Sequence, residues 1–366
     1  MSGVNHRVLI MAGGTGGHVF PALALAHALM TRGAEVEWLG GGKGIENRLV
    51  PAANIPLHQL PTAGLRGKGL LSKISGALKA LKAVFQARRL LRERRPALVV
   101  GFGGYAAGPG GLAAWMQRVP LFLHEQNAVP GTTNRLLAGR AARVFSGFPV
   151  SINAREAEWL GNPVRQEIAA LAHPEKRFAG RKGALRVLVL GGSLGAKAIN
   201  DCVPEALARM SERPECWHQT GADHIGPVNQ LYAELGVEAR VEAFIDDMAD
   251  ALGWADLVIC RAGALTVSEL SCAGLGALLI PLPHAIDDHQ TQNARWLTRN
   301  GGGEWWPQSQ LSARNLATYL QKLTREQCLL WATAARAVAK PAAAEQLADA
   351  CFEQLTNTAT KGAVHD

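Results

Sequence analysis

The sequence predicts an α/β protein made of two Rossmann-like domains, each a parallel sheet with flanking helices. Three observations carry that prediction. Short apolar runs lead repeatedly into glycine-rich turns and then into helical spacing, the order of βα units in a parallel sheet. The pattern begins at Arg7–Met11 (RVLIM) and starts afresh at Arg186–Leu190 (RVLVL). The chain has 366 residues. A single hydrophobic core rarely grows beyond about 250–300 residues.

Taken in order, RVLIM runs into Ala12–His18 (AGGTGGH), an apolar helix over Pro21–Met30, a stop at Gly33 and a strand at Glu35–Leu39. A second unit places a strand at Ala97–Val100, the turn GFGGYAAGPGG, a helix at Leu112–Gln117 and a strand at Leu121–His124. GNPVR at Gly161–Arg165 and the weakly periodic stretch up to Gly183 read as a linker. After the restart come GGSLGA, a helix over Ala196–Met210, and strands at Cys216–Gln219, Arg240–Ala243, Leu257–Ile259 and Ala277–Ile280. A helix led by Pro341 runs to about Leu355, and residues 357–366 read as a loose tail. The domains are therefore residues 1–163 and 164–340, followed by a closing helix over 341–356.

Composition narrows the class. Apolar residues are 48% of the chain, which excludes wholesale disorder. All six cysteines lie in the second half without a C-x-x-C pair, so reduced thiols are expected rather than a disulfide scaffold or zinc site. Val8–Met30 and Ala97–Gln117 carry no Asp, Glu, Lys or Arg, yet their clustered glycines and Pro21 and Pro109 suit strand, loop and helix better than a membrane span. The start of the chain does not read as a signal peptide, and a soluble cytosolic chain is expected.

The charge is uneven. Residues 1–163 hold 19 Lys+Arg against 7 Asp+Glu, whereas residues 164–366 hold 19 against 23. Ten of those bases lie in Arg66–Arg95, with Glu93 as the single acid, and Leu70, Leu71, Ile74, Leu78, Leu81, Val84 and Phe85 recur among them at helical spacing. The pattern suits a membrane-surface or nucleic-acid element, and equally a core-packed helix with a solvated basic face. No aromatic ladder interleaves the bases, which argues against single-strand nucleic acid.

Several loops carry polar chemistry at the ends of strands. Gly13–Gly17 brings backbone N–H groups to a helix N-terminus, where anions are favoured, and His18 follows immediately. Neither the dinucleotide fingerprint nor a P-loop fits that run. Gly101–Ala106 does fit G-x-G-x-x-A, but no acid stands at the ribose distance, so a nicotinamide-dependent oxidoreductase or nucleotide-binding module is the weaker reading. Each turn also has a plain structural reading, as the tight corner that a doubly wound fold needs. His124–Asn127 (HEQN) gathers four polar side chains after a strand. In the second half, Gly191–Ser193 and Arg261–Glu269 (RAGALTVSE) open helices, with Glu269 placed for sugar hydroxyls rather than phosphate. His284–Asn293 is dense in hydrogen-bonding groups. No D-x-D occurs, so no metal-held diphosphate and no metal site are expected.

Eight motifs, AGGTGGH, GLRGKG, GFGGYAAGPGG, LHEQN, GNPVR, GGSLGA, RAGALTVSEL and DDHQTQNA, stand in one order. Together they resemble the MurG family of bacterial peptidoglycan glycosyltransferases over roughly residues 5–355. The resemblance implies a GT-B fold, two Rossmann-like domains facing a central cleft, with the C-terminal helix returning to the first domain. It implies an inverting transfer of N-acetylglucosamine from UDP-N-acetylglucosamine to the 4-hydroxyl of undecaprenyl-diphospho-N-acetylmuramoyl-pentapeptide, without a cofactor. Thr15, Gly16, Gly17, Asn127, Arg165, Ser193 and the segment Ala264, Leu265, Thr266, Val267, Ser268 and Glu269 would contact the donor. Ile245 would meet the uracil, Glu269 the ribose and Gln290 the N-acetylglucosamine.

His18 is the first candidate for general base, its ordinary pKa of about 6.5 suiting proton abstraction near neutrality, with His124 and Glu125 as substitutes. The acceptor lipid places the enzyme peripherally on the cytoplasmic face of the inner membrane. There Leu70, Leu71, Lys73, Ile74, Lys79 and Lys82 would dock on anionic phospholipid, and no nucleic-acid partner is expected.

Overall fold

The computed structural model describes residues 6–60, 70–192, 195–283 and 286–362. It divides into two compact units: residues 1–163 with 342–366, and residues 164–341.

The first unit runs β1 (Arg7–Met11), α1 (Gly16–Thr31), β2 (Glu35–Gly41), α2 (Glu46–Ala52), β3 (Leu57–Leu60) and α3 (Leu70–Arg94). It continues with β4 (Leu98–Gly101), α4 (Ala107–Met116), β5 (Leu121–Glu125), α5 (Thr132–Leu137), β6 (Arg143–Ser146), β7 (Ser151–Ile152), β8 (Arg155–Glu156) and β9 (Glu158–Trp159). Its main sheet has the parallel order β3-β2-β1-β4-β5-β6-β9, with Ile10 opposite Trp38 on one side and Val100 on the other. Strands covered on both faces need no polar alternation, which is why RVLIM and LVVG read as unbroken apolar runs.

The second unit contains α6 (Gln166–Ala169), α7 (Pro174–Phe178), β10 (Arg186–Leu190), α8 (Lys197–Ala208), β11 (Glu215–Gln219), α9 (Ile225–Glu234), β12 (Arg240–Glu242) and α10 (Met248–Trp254). Then follow β13 (Leu257–Cys260), α11 (Ala264–Ala273), β14 (Gly276–Leu279), α12 (His289–Arg299), β15 (Gly303–Trp305), α13 (Ala313–Lys322) and α14 (Arg325–Ala337). Its parallel sheet runs β12-β11-β10-β13-β14-β15, the doubly wound order again. The last helix, α15 (Ala343–Gly362), belongs to the first unit: it packs on α1 and buries Leu347, Ala348, Cys351 and Leu355.

Four expectations shift. Helix α1 starts at Gly16 rather than Pro21, because burial of Val19, Ala22, Leu25, Ala26 and Leu29 on the sheet outweighs the poor helix propensity of two glycines. Helix α4 likewise takes in Gly110 and Gly111; an added Cβ there would lie 2.3 Å from Met11 Sδ and 2.6 Å from Leu137 Cδ1, so these glycines let the helix approach its neighbours. The expected linker up to Gly183 is built into the second unit. Ile168 and Phe178 are buried, and Arg177 donates to the carbonyls of Leu252, Ala273 and Gly274. Finally, the tail expected from residue 357 continues as helix to Gly362.

Candidate active site

In open α/β sheets ligands settle at the carboxyl ends of the strands, where the strand order reverses. In the first unit that point lies between β1 and β4, and the loops following β1, β4 and β5 meet there. Gly14 and Gly104 adopt φ +94° and +80°, and a Cβ on Gly104 would lie 2.5 Å from the Gly13 carbonyl oxygen. The glycines therefore let two loops pass backbone against backbone. Below them Glu46, fully buried, accepts from the N–H groups of Gly14 (3.0 Å) and Gly41 (3.1 Å). Thr15 stays exposed, Gly16 and Gly17 are half-buried, and His18 lies in the first turn of α1. The His18 ring rests on Gly103, where an added Cβ would be 3.2 Å from Nε2.

The other two base candidates are committed to the loop after β5. His124 is fully buried, stacks on Phe102, donates from Nε2 to the Gly161 carbonyl (2.9 Å) and accepts at Nδ1 from Gln126 (3.2 Å). Burial pushes its pKa down to about 4. Glu125, 2% exposed, accepts from the backbone of Asn127 (2.9 Å) and Gly131 (2.9 Å) and from the Asn134 amide (2.8 Å). A carboxylate so surrounded shapes the loop that presents half-buried Asn127.

In the second unit the corresponding loops follow β10, β12, β13 and β14. Ser193 lies outside the described residues; its neighbour Gly192 is held by Gln219. Ile245 is 2% exposed. The N–H groups of Ala264, Leu265 and Thr266 open α11 and have no acceptor within that helix. Val267 is buried and donates to Gly263, and the Ser268 hydroxyl bonds back to the Ala264 carbonyl. Glu269 sits one turn further in, 13% exposed, with one carboxylate oxygen on Arg165 Nε (3.2 Å) and Nη2 (2.9 Å). Burial raises the Glu269 pKa, and Arg165 opposes the shift. Gln290 accepts from the Leu282 backbone N–H at 2.9 Å, bracing the loop after β14.

The basic helix α3 has both a buried and an exposed apolar face. Ala83, Val84, Ala87 and Leu91 form its buried face, whereas Leu78, Leu81 and Phe85 are more than half exposed. Lys79 and Lys82 are exposed beside them; the side chains of Leu70, Leu71, Lys73 and Ile74 lie outside the described residues. Helix α4, packed along α3, adds exposed Trp115 and Met116, and Arg140 stacks over Trp115.

With this geometry in place, the chain can be compared with known proteins. Residues 8–146 match the glycosyltransferase family 28 N-terminal domain and residues 186–350 its C-terminal domain. A protein of Chromohalobacter salexigens, named a UDP-N-acetylglucosamine–N-acetylmuramyl-(pentapeptide) pyrophosphoryl-undecaprenol N-acetylglucosamine transferase, is 54% identical over 95% of this chain and 96% of its own. One of the same name from Pseudomonas fluorescens is 53% identical over 95% and 98%. The crystal structure of Acinetobacter baumannii MurG superposes with a TM-score of 0.82 at 40% identity, covering 95% of this chain and 99% of that one. The chain belongs to the MurG family. Calicheamicin glycosyltransferase CalG4, at 16% identity and a TM-score of 0.64, shares the fold alone. The oxidoreductase reading drawn from Gly101–Ala106 is set aside.

Two buried residues of these loops were not singled out by the sequence. Glu46 follows the glycine-rich stretch Gly40–Gly44 (GGGKG) and looks like an ordinary first-turn acid; Gln219 looks like the end of a strand. Only burial with hydrogen bonds to glycine backbones separates them from surface residues.

Proposed function

We infer that this chain transfers N-acetylglucosamine from UDP-N-acetylglucosamine to the 4-hydroxyl of undecaprenyl-diphospho-N-acetylmuramoyl-pentapeptide. The observation that carries the reading is the identity of 54% over 95% of the chain with a relative bearing that activity in its name. The second unit takes the donor. Glu269 receives the ribose hydroxyls, the first turn of α11 and the turn at Ser193 receive the diphosphate, Ile245 meets the uracil through its backbone, and Gln290 meets the sugar.

In the chemical step the acceptor oxygen attacks the anomeric carbon, its proton passes to His18, and UDP departs with the bonding pair, inverting the centre. N–H groups at the helix openings stabilise the charge that grows on the leaving diphosphate. His18 is favoured over His124 and Glu125 because those two are buried, whereas His18 is half-buried where the glycine loop enters α1.

The acceptor carries a long lipid, so the first unit works at a bilayer surface, on the cytoplasmic face of the inner membrane. No helix among the described residues is long and apolar enough to cross a membrane. Leu78, Leu81, Phe85, Trp115 and Met116 offer an apolar patch edged by Lys79, Lys82 and Arg92, the pairing that favours reversible docking on anionic lipid.

Titration of the protein with UDP, UDP-N-acetylglucosamine and NADH tests the reading. Both uridine ligands should bind and NADH should not; the reverse pattern would sink it.

A further inference from the structure

We propose that Gln219 is a positioning residue for the donor: its buried carboxamide locks the turn that leads into Ser193 to the loop that carries Ile245. The proposal rests on the donor reading above.

Gln219 ends β11, which lies between β10 and β12 in the sheet. Its backbone carbonyl accepts from Gly191 (2.9 Å), and two residues further on Gly221 donates to the Ala243 carbonyl (3.0 Å). The side chain, with the residue 3% exposed, repeats that link in the next layer. Oε1 accepts from the Gly192 N–H (3.1 Å), while Nε2 donates to the carbonyls of Gly192 (3.0 Å) and Ala243 (3.1 Å). Both amide hydrogens are used. Carbonyl oxygens only accept, so the orientation of the carboxamide is dictated by its partners.

All three partner groups belong to loops, not to helices or to the core. One is the turn at Gly192, held at φ +77°, immediately before Ser193; the other is Ala243, two residues before Ile245. A diphosphate site and a base site on separate loops have no fixed spacing unless something spans them, and a misplacement of about 1 Å is enough to weaken a site built for one geometry. The platform below is itself tied down. Asn200 in α8 donates to the Thr220 carbonyl (3.0 Å) and accepts from His218 Nε2 (3.1 Å), whose Nδ1 accepts from Tyr232 (2.9 Å). Gln219 is thus the rigid side of the link, and the two loops are what it holds.

Chemistry at this position is restrictive. Methionine matches glutamine in length but takes the acceptor from the Gly192 N–H and the side-chain donor from the Gly192 and Ala243 carbonyls, which keep only their backbone donors, Gly195 and Gly221. Glutamate turns a carboxylate oxygen toward two carbonyl oxygens, an arrangement relieved only when the carboxyl takes up a proton and regains one donated hydrogen.

The test is calorimetric titration with UDP, together with donor and acceptor kinetics, on wild-type protein and on Gln219→Met, Gln219→Glu and Asp256→Asn. Asp256 is fully buried on Arg181 and Arg325 just before β13, at the opposite end of the sheet, and serves as a stability control. Gln219→Met should raise the UDP Kd and the donor KM about tenfold, with acceptor KM little changed. Asp256→Asn should lower the melting temperature and leave UDP affinity alone. Gln219→Glu should bind UDP poorly in mild alkali and recover as the pH falls, a recovery that wild type and Gln219→Met lack. If Gln219→Met does not fold, the pH recovery of Gln219→Glu decides. Unaltered UDP affinity in a folded Gln219→Met, equal weakening by Asp256→Asn, or no recovery in Gln219→Glu overturns the proposal. Wild-type protein that does not bind UDP overturns the donor reading, and this proposal with it.

Discussion

Glu269→Ala is the sharpest test of how the second unit holds its ligand. The carboxylate is 13% exposed and Arg165, its partner, is 36% exposed. Hydrogen bonds to a charged, largely desolvated group contribute roughly 1.5–3 kcal/mol each, so loss of the ribose contact should weaken UDP by about 10- to 150-fold. Stability should change less: Arg165 is solvated enough that losing its partner costs about 1 kcal/mol, well under the figure for a fully buried pair. Isothermal titration with UDP, uridine and inorganic diphosphate separates the contributions. UDP and uridine, which both carry the ribose, should weaken in parallel, and diphosphate should not change. Burial raises the pKa of Glu269, so its carboxylate takes up a proton at a higher pH than an exposed glutamate and the ion pair with Arg165 is lost on that descent. UDP affinity should fall with pH through that range in wild type, and Glu269→Gln should flatten the response. Unchanged uridine affinity in the alanine variant would refute the ribose assignment.

Three further outcomes are expected. His18→Ala should lower kcat about 100-fold or more with donor binding nearly intact, and a drop of less than about tenfold in steady-state assays would remove His18 as the base. Sedimentation with liposomes should rise with anionic lipid, fall with salt and drop when Lys73, Lys79 and Lys82 become Glu; unaltered sedimentation would leave α3 as an ordinary packed helix. Acid should destabilise both units, because burial lowers the pKa of His124 to about 4 and of His218 to about 3. An unfolded histidine binds its proton near pH 6.5, so between there and those values the unfolded state holds the extra proton and stability falls as pH falls. Each histidine contributes about 1.4 kcal/mol per pH unit on that descent. Denaturant titrations at several pH values check this, and a His218→Gln variant whose slope matches wild type would contradict it.

What the sequence determined by itself is what local pattern and spacing encode. Apolar runs such as VLIM and VLVL leading into glycine-rich turns read as strands covered on both faces, their repetition points to two parallel sheets, and eight loop motifs in one order identify the family. Tertiary structure decided where a residue's surroundings outweigh its type. Gly16 and Gly110 look like turn residues but are helical, because close packing on the sheet outweighs their intrinsic preference. In the sequence His18 leads His124 and Glu125 as candidate base by its place just after the glycine run. In the folded chain His124 and Glu125 are buried and hydrogen-bonded within the loop after β5, whereas His18 is half-buried in the first turn of α1, against Gly103. The apolar residues of α3 share one periodicity, yet Val84 faces the core while Leu78, Leu81 and Phe85 face solvent, since only the neighbouring elements define which side is inside. Glu46 and Gln219 each hold the N–H of a glycine far along the chain, Gly14 and Gly192, and no local pattern carries a hydrogen bond that exists only after the chain has folded.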